Sequence, residues 1–341
     1  MPALTIADAL RADGHQVVFI GADRAEAELV PAAGYELRRL TVTGLSRTSV
    51  VEALRGVGRA ARGVRAASAI LRELAPDVVL GGGGYVAGPV GAAAVRRRIP
   101  LVLTEADSHL GLTNRLLAPF ARRVCLAFPL AGRDAPRYLV TGRPVPPPQT
   151  DRTAARAGFG LAGDERCVLV FGGSLGARTV NEAAIDGLAG APFQVLHAAG
   201  QRDFEACRER LGSPPPAGYD LRGYLSPLAD ALAACDLVVA RSGGSVFEIA
   251  AHGKPAILIP YPHAAADHQT SNARWMVDAG AAVLIRDAAL TAAGLRETVD
   301  ALLGDPSRLA AMAAASASLA RPDAARQIAA EVVAAAEARH A

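Results

Sequence analysis

The sequence predicts an α/β protein made of two parallel-sheet domains, and three observations predict it. Short apolar, β-branched runs alternate with helical patterns along most of the chain, as in a parallel sheet wrapped by helices. Several runs end in glycine turns that lead straight into a helix. Such turns put polar groups at the carboxyl ends of neighbouring strands, where open α/β sheets bind ligands. Between the halves, Gly142-Arg143-Pro144-Val145-Pro146-Pro147-Pro148 breaks the pattern, because three consecutive prolines continue neither a helix nor a central strand.

Composition bounds the function. At 341 residues the chain is too long for one ordinary core. It is 51% hydrophobic but only 4% aromatic, an α/β composition and not a disordered one. A formal charge of +3 is too small to argue for nucleic acid as a partner. Cys125, Cys167, Cys207 and Cys235 lie far apart, mostly in or beside apolar runs, which predicts buried thiols in a reducing compartment and no metal site. No apolar run approaches the roughly 20 residues of a membrane span. Asp8 and Asp13 near the start, without a cleavage-type segment, predict a cytoplasmic protein.

Taken in order, residues 2–12 read as a helix with Leu4, Ile6, Ala9 and Leu10 on one face, ended by Gly14. A parallel sheet ordinarily opens on a strand. A crossover helix in first place therefore predicts a segment in front of Met1. Strands are expected at 16–20, 36–40, 77–80, 100–103 and 123–127. Residues 50–74 read as a helix with Arg55, Arg59 and Arg62 on one face. That face suits either anionic lipid, at ~1 kcal/mol per basic residue near the surface, or plain solvent, and Gly56, Gly58 and Gly63 weaken the helix. Gly81-Gly82-Gly83-Gly84-Tyr85 follows a strand and precedes a helix, which suits close backbone approach to a ligand or tight helix–sheet packing.

The second half opens on strand 167–171, which runs into Gly172-Gly173-Ser174-Leu175-Gly176-Ala177-Arg178. Strands follow at 194–197, 219–222, 236–240, 256–260 and 282–285, and the tail 307–341 reads as alanine-rich helix. After strand 236–240, Arg241-Ser242-Gly243-Gly244-Ser245 turns into a helix whose N–H groups and dipole favour an anion such as a diphosphate. Ser245-x-x-Glu248 also reads as a capping box. Asp267-His268-Gln269 and Asn272 then offer a carboxylate, an imidazole and amides suited to a polyhydroxylated ligand, or a solvated helix start capped by Asp267. Two such domains, with polar turns facing a cleft, describe the GT-B architecture of sugar-nucleotide glycosyltransferases. The domains are expected over 1–145 and 146–341, with the last helix packing back on the first.

The motif at 81–89, Thr104-Glu105-Ala106-Asp107 and its continuation to Asn114, and those at 172–178, 241–248 and 267–272 resemble, in this order and spacing, the MurG family. The resemblance implies an inverting transfer of GlcNAc from UDP-GlcNAc to the C4 hydroxyl of MurNAc in undecaprenyl-pyrophosphoryl-MurNAc-pentapeptide, making lipid II. It implies that Ser174 meets the diphosphate, that Leu225 meets the uracil through its backbone, and that Gly243, Gly244, Ser245 and Val246 hold the nucleotide. Glu248 is implied for the ribose, Gln269 for the GlcNAc hydroxyls and Asn272 for support of the loop. Asp107 stands where the family has an asparagine in His-Glu-Gln-Asn, on the donor–acceptor side with Glu105, the one residue of that tetrad retained. Pro146 replaces the arginine of the family's Gly-Asn-Pro-Val-Arg linker.

The family's opening strand and Gly-Gly-Thr-x-Gly-His loop, with the histidine proposed as general base, do not occur in this sequence. His109 is the histidine nearest the expected acceptor side and reads better as a loop residue than as a base. No Asp-x-Asp pair occurs, so neither a metal nor a cofactor is expected and helix ends must carry the leaving diphosphate. The implied setting is peripheral, on the cytoplasmic face of an anionic membrane, with cell-wall synthesis proteins as partners. A catalytically silent UDP-sugar binder, and a GT-B enzyme with a soluble acceptor, are the other readings.

Overall fold

The computed structural model describes residues 2–41, 50–161, 165–173, 176–264 and 267–340, without the side chains of 50–57, 59, 60 and 340. The chain divides into two compact units. The first comprises Met1–Pro146 with Arg321–Ala341, and the second Pro147–Ala320.

In the first unit, α1 (Pro2–Ala12), β1 (Val18–Gly21), α2 (Glu26–Ala32), β2 (Glu36–Arg39), α3 (Val50–Leu74), β3 (Val79–Gly81), α4 (Gly84–Arg96), β4 (Leu101–Glu105), α5 (Leu112–Leu117), β5 (Arg123–Leu126) and β6 (Tyr138–Val140) follow one another. All pairings are parallel, but the strands fall into two sheets, β1-β2 and β3-β4-β5-β6. The glycines of α3 do not interrupt it: the helix runs 25 residues, and its described part buries Ala67 and Leu71 against β4 and α4.

The second unit holds α6 (Arg152–Gly158), β7 (Cys167–Phe171), α7 (Arg178–Leu188), β8 (Gln194–Ala198), α8 (Phe204–Leu211), β9 (Tyr219–Arg222), α9 (Leu228–Ala234), β10 (Leu237–Ala240), α10 (Val246–Ala251), β11 (Ala256–Leu258), α11 (His268–Asp278), β12 (Ala282–Leu284), α12 (Ala292–Leu303) and α13 (Pro306–Ser318). Its six parallel strands are ordered β9-β8-β7-β10-β11-β12, a doubly wound sheet whose order reverses between β7 and β10. Those two strands are buried along their whole length, as central strands covered by helices on both faces must be.

The tail is not one helix. Pro322 lacks an N–H and cannot continue α13, so the chain breaks there and resumes as α14 (Ala324–His340). Ile328, Ala329, Val332 and Ala335 of α14 pack on Ile6 and Leu10 of α1 and on Val102 and Cys125. Glu331 accepts from Arg123 Nε at 2.8 Å, which ties α14 to the root of β5.

Candidate functional site

Phe171 of β7 and Ala240 of β10 are paired in register, so the turns after them leave the sheet level with each other on either side of the switch point. The first turn tolerates no side chain where it starts. A Cβ on Gly172 would lie 2.3 Å from the Ala177 Cβ and 2.6 Å from its backbone nitrogen, and Gly173 takes φ +98°. Ser174 lies outside the described residues. The eleven-residue α7 begins just beyond the turn and aims its first amides at the same end of the sheet.

The second turn is braced from beneath by Arg241, whose side chain is buried. Its Nη1 donates to the carbonyls of Ile259 (3.2 Å) and Pro260 (3.0 Å) and pairs with Asp287 Oδ1 at 2.5 Å. Its Nη2 donates to Thr179 Oγ1 at 2.8 Å, and that hydroxyl donates in turn to Asp287 Oδ1 at 2.7 Å. Thr179 opens α7, residues 259 and 260 follow β11, and Asp287 follows β12. One guanidinium therefore ties together the segments behind four strands, a task for which its planar fork is suited. In the sequence Arg241 stands only as the first residue of a glycine turn; an arginine directly after a fully apolar strand, where its charge must find partners inside the fold, is the signal that marks it.

The loop beyond Arg241 is joined to the start of α11. Ser242 Oγ donates to the Gln269 carbonyl at 2.8 Å, and Asn272 Nδ2 donates to the Ser242 carbonyl at 3.1 Å. Gln269 Oε1 accepts from the Tyr261 N–H at 3.0 Å, while its Nε2 lies 3.9 Å from where a Cβ on Gly243 would stand. Asn272 is buried, and its Oδ1 has no hydrogen-bond partner among the described residues. The structure thus brings Gly243, Gly244, Ser245, Gln269 and Asn272 together. Val246 turns its side chain into the core, and Glu248 sits half-buried one turn into α10.

Two capping expectations are corrected. Ser245 has helical φ and ψ, −62° and −16°, and its side chain makes no capping hydrogen bond, because a cap must hold extended backbone to aim its oxygen at the amides above. Asp267 stands at φ +52° and likewise caps nothing; its Oδ1 accepts from Thr270 Oγ1 at 2.6 Å.

Leu225 lies in the turn after β9 with its side chain buried. A cavity of about 390 Å³ opens beside it, lined among others by Gln149, Phe159, Tyr224 and Asp230. The Arg222 guanidinium covers the Phe159 ring at 4.9 Å.

Deeper in the unit, His197 bonds to the Tyr219 hydroxyl at 2.8 Å and to Asn181 Oδ1 at 3.1 Å. Burial depresses the His197 pKa to about 3 and pushes the Tyr219 phenol well above its usual range. All four cysteines are free and buried, and burial raises the thiol pKa of Cys125 to about 12 and of Cys207 and Cys235 to about 11.

In the first unit, Gly83 takes φ +78° in the turn that opens α4. Thr113 Oγ1 donates to the Gly84 carbonyl at 3.0 Å. Glu105, at the end of β4, is 7% exposed. Its carboxylate accepts from the N–H of Asp107 (3.2 Å), the N–H of Gly111 (2.8 Å) and Asn114 Nδ2 (3.0 Å), so it holds the 105–111 turn in shape. Asp107 rides on that turn, and His109 lies within it. Beyond it, Leu112, Leu116 and Phe120 are exposed, the last two at 63%, with Arg115 and Arg122 exposed between and after them.

Known proteins resemble this chain over most of its length. Residues 1–126 match the glycosyltransferase family 28 N-terminal domain and residues 167–328 its C-terminal domain. The chain is 42% identical to the UDP-N-acetylglucosamine–N-acetylmuramyl-(pentapeptide) pyrophosphoryl-undecaprenol N-acetylglucosamine transferase of Moorella thermoacetica, over 95% of this chain and 92% of that one. It is also 42% identical to the protein of the same name from Mycolicibacterium paratuberculosis, over 96% and 84%. Among solved structures, Acinetobacter baumannii MurG superposes with a TM-score of 0.79 at 28% identity, covering 98% of this chain and 95% of that one. The UDP-GlcNAc 2-epimerase of Neisseria meningitidis superposes at 0.68 with 15% identity, over 97% and 95%, a likeness of fold.

Proposed function

The chain belongs to the MurG family of glycosyltransferase family 28, and from that premise we propose that it transfers GlcNAc from UDP-GlcNAc to the C4 hydroxyl of MurNAc in undecaprenyl-pyrophosphoryl-MurNAc-pentapeptide, converting lipid I to lipid II in peptidoglycan synthesis. The observation that carries this reading is the pair of level turns at the β7–β10 switch point, with Gln269 and Asn272 joined to the second turn and Glu248 in the helix that follows it. In this reading the diphosphate lies across the two turns, with Ser174 in the first and Gly243, Gly244, Ser245 and the Val246 backbone in the second. The uracil rests on the backbone at Leu225, and Glu248 accepts the ribose hydroxyls. Gln269 has its oxygen on the Tyr261 N–H, so it presents its amide N–H groups to the GlcNAc hydroxyl oxygens.

The transfer is a displacement. The MurNAc C4 oxygen attacks the anomeric carbon as a base takes its proton, the bond to the β-phosphate oxygen breaks, and the pair of electrons leaves with UDP. Charge gathers on the diphosphate, where preorganised N–H groups are most effective. We propose that these groups carry that charge without a metal. On the first unit Glu105 shapes the turn that bears Asp107, and both serve the acceptor side.

Leu112, Leu116 and Phe120, with Arg115 and Arg122, suit an anionic lipid surface: apolar side chains to insert and cations for the headgroups. The expected place is the cytoplasmic face of the cell membrane, beside cell-wall synthesis proteins. Arg62, Arg65 and Arg72 of α3 are exposed too, while the side chains of Arg55 and Arg59 lie outside the described residues.

The competing reading is a UDP-sugar binder without turnover, because the residues assigned to the donor are joined to one another within the second unit alone. The test is transfer of GlcNAc to a lipid I analogue with EDTA present, alongside UDP-GlcNAc binding. Transfer in EDTA is the expected outcome. Binding without transfer selects the second reading, and transfer that EDTA abolishes overturns the metal-independent mechanism.

A further inference from the structure

Resting on the reading of Glu248 as the ribose ligand, we propose that His252 is a positioning residue of the UDP-GlcNAc site: a neutral imidazole that fixes α10, and the Glu248 carboxylate it carries, to the backbone at Gln149. The geometry sets the tautomer. His252 Nδ1 lies 2.8 Å from the Glu248 carbonyl, which can only accept, so Nδ1 bears the proton. Nε2 lies 3.2 Å from the Gln149 nitrogen, whose N–H donates, so Nε2 is bare. Both bonds exist together only in that neutral form.

α10 needs such a tether. It has six residues, too few for a helix to hold itself by its own hydrogen bonds. Its first turn is weakly closed, with the N–H of Val246 and of Phe247 donating to Gly243 and Gly244 at 3.3 Å. Its last turn is where His252 acts: the Glu248 carbonyl accepts from both the backbone N–H (3.1 Å) and Nδ1–H of His252. Glu248 and His252 are four residues apart, so they share a face.

Gln149 is itself held on two further sides. Its Nε2 donates to Asp230 Oδ1 at 3.3 Å, and its Oε1 accepts from the Asp151 N–H at 3.0 Å, just where Asp151 caps α6 through the Ala154 N–H. The imidazole therefore connects the helix bearing Glu248 to the ends of α6 and α9.

Protonation would break the tether, since Nε2–H would then face the Gln149 N–H. The groups around the ring are known. Burial, and then the charge of Lys254, whose Nζ donates to the carbonyls of Ala233 (3.2 Å) and Cys235 (2.9 Å), hold the imidazole below its ordinary pKa, with the Glu248 carbonyl opposing them. Asp230 is reached through Gln149. α13 meets Gly253 with Ala313 and Ala317, and α11 meets Phe247 with the Trp275 ring.

The test is calorimetric Kd for UDP-GlcNAc between about pH 5 and 8 in the wild type, His252→Ala, His252→Gln and Glu248→Ala, with folding checked by circular dichroism. In His252→Ala, Kd should rise ~5- to 10-fold at neutral pH. His252→Gln, whose amide oxygen can accept from the Gln149 N–H, should restore most of that affinity. The wild type should weaken on the acid side of the ordinary histidine range, and His252→Gln should lack that weakening. Wild-type Kd in His252→Ala, or the same acid weakening in His252→Gln, overturns the proposal. Unchanged Kd in Glu248→Ala overturns the ribose assignment on which it rests. A weakened Glu248→Ala beside an unaffected His252→Ala removes the tether alone. Should His252→Ala fail to fold, the wild-type and His252→Gln pH profiles still decide.

Discussion

The two units carry glycine turns of one kind on sheets of two kinds. In the second unit both turns spring from adjacent, fully buried strands of a continuous six-stranded sheet, and three side chains sew the surrounding loops together: Arg241, Gln269 and Asn272. In the first unit the strands form two sheets, and the turn after β4 is gathered on one carboxylate, Glu105. The contrast locates what shapes the proposed nucleotide site. Its loops are set by polar side chains, with Arg241 and Asn272 buried, so the site should exist before any ligand arrives, whereas the Glu105 carboxylate accepts three of the bonds that shape the turn after β4.

Removing the central anchor is the largest test of that contrast. Arg241→Ala leaves the Asp287 carboxylate without its cation and two carbonyls without that donor, and stripping one member from a buried pair costs ~3–5 kcal/mol. Denaturant unfolding should show a loss of that size together with lost UDP binding; a loss under ~1 kcal/mol would mean that the brace is decorative.

Acid should find the second unit next. With the His197 pKa near 3 in the fold against 6.5 in the unfolded chain, the unfolded state binds the extra proton between those values, so stability falls as pH drops from 6.5 toward 3. The slope is ~1.4 kcal/mol per pH unit, or about 2 kcal/mol by about pH 5. Comparing the pH dependence of unfolding with that of His197→Gln isolates it, and equal slopes would contradict the assignment.

In the first unit, Glu105→Gln replaces one accepting oxygen by an NH2 that faces donors, at ~1–2 kcal/mol. A loss as large as that of Arg241→Ala would erase the contrast between the units. The smallest effect belongs to Ser245→Ala. Without a capping bond to lose, it should change stability by less than ~0.5 kcal/mol, where a working cap would cost ~1 kcal/mol. Its UDP affinity should nonetheless drop.

Much of the fold could be read from local pattern. β7 and β9 begin and end where their apolar or alternating runs do, and α3 spans the expected 50–74, since the surface it buries outweighs the glycines. What escaped was set by tertiary contact or by a single residue. β6 is three residues long with Leu139 and Val140 exposed, too short and too open to leave a periodic trace. The tail reads as one helix by alanine content, and Pro322 divides it. The site motifs were legible as glycine turns and polar clusters, but the partners of Arg241 come from Thr179, Ile259, Pro260 and Asp287. No spacing rule joins residues that only the sheet brings together. The Ser245 cap failed for a related reason: the turn is shaped by Ser242, Gln269 and Asn272, which leave Ser245 already helical.

We propose that the second unit holds a preformed site in which Glu248 binds the ribose of UDP-GlcNAc. Titration calorimetry of UDP-GlcNAc in EDTA against the wild type and Glu248→Ala, with thermal unfolding of both, tests it most directly. Binding should be metal-independent and weaken at least ~10-fold in Glu248→Ala, as expected for losing hydrogen bonds to a charged group, while the unfolding midpoint stays put. Equal affinity in the two proteins would contradict it.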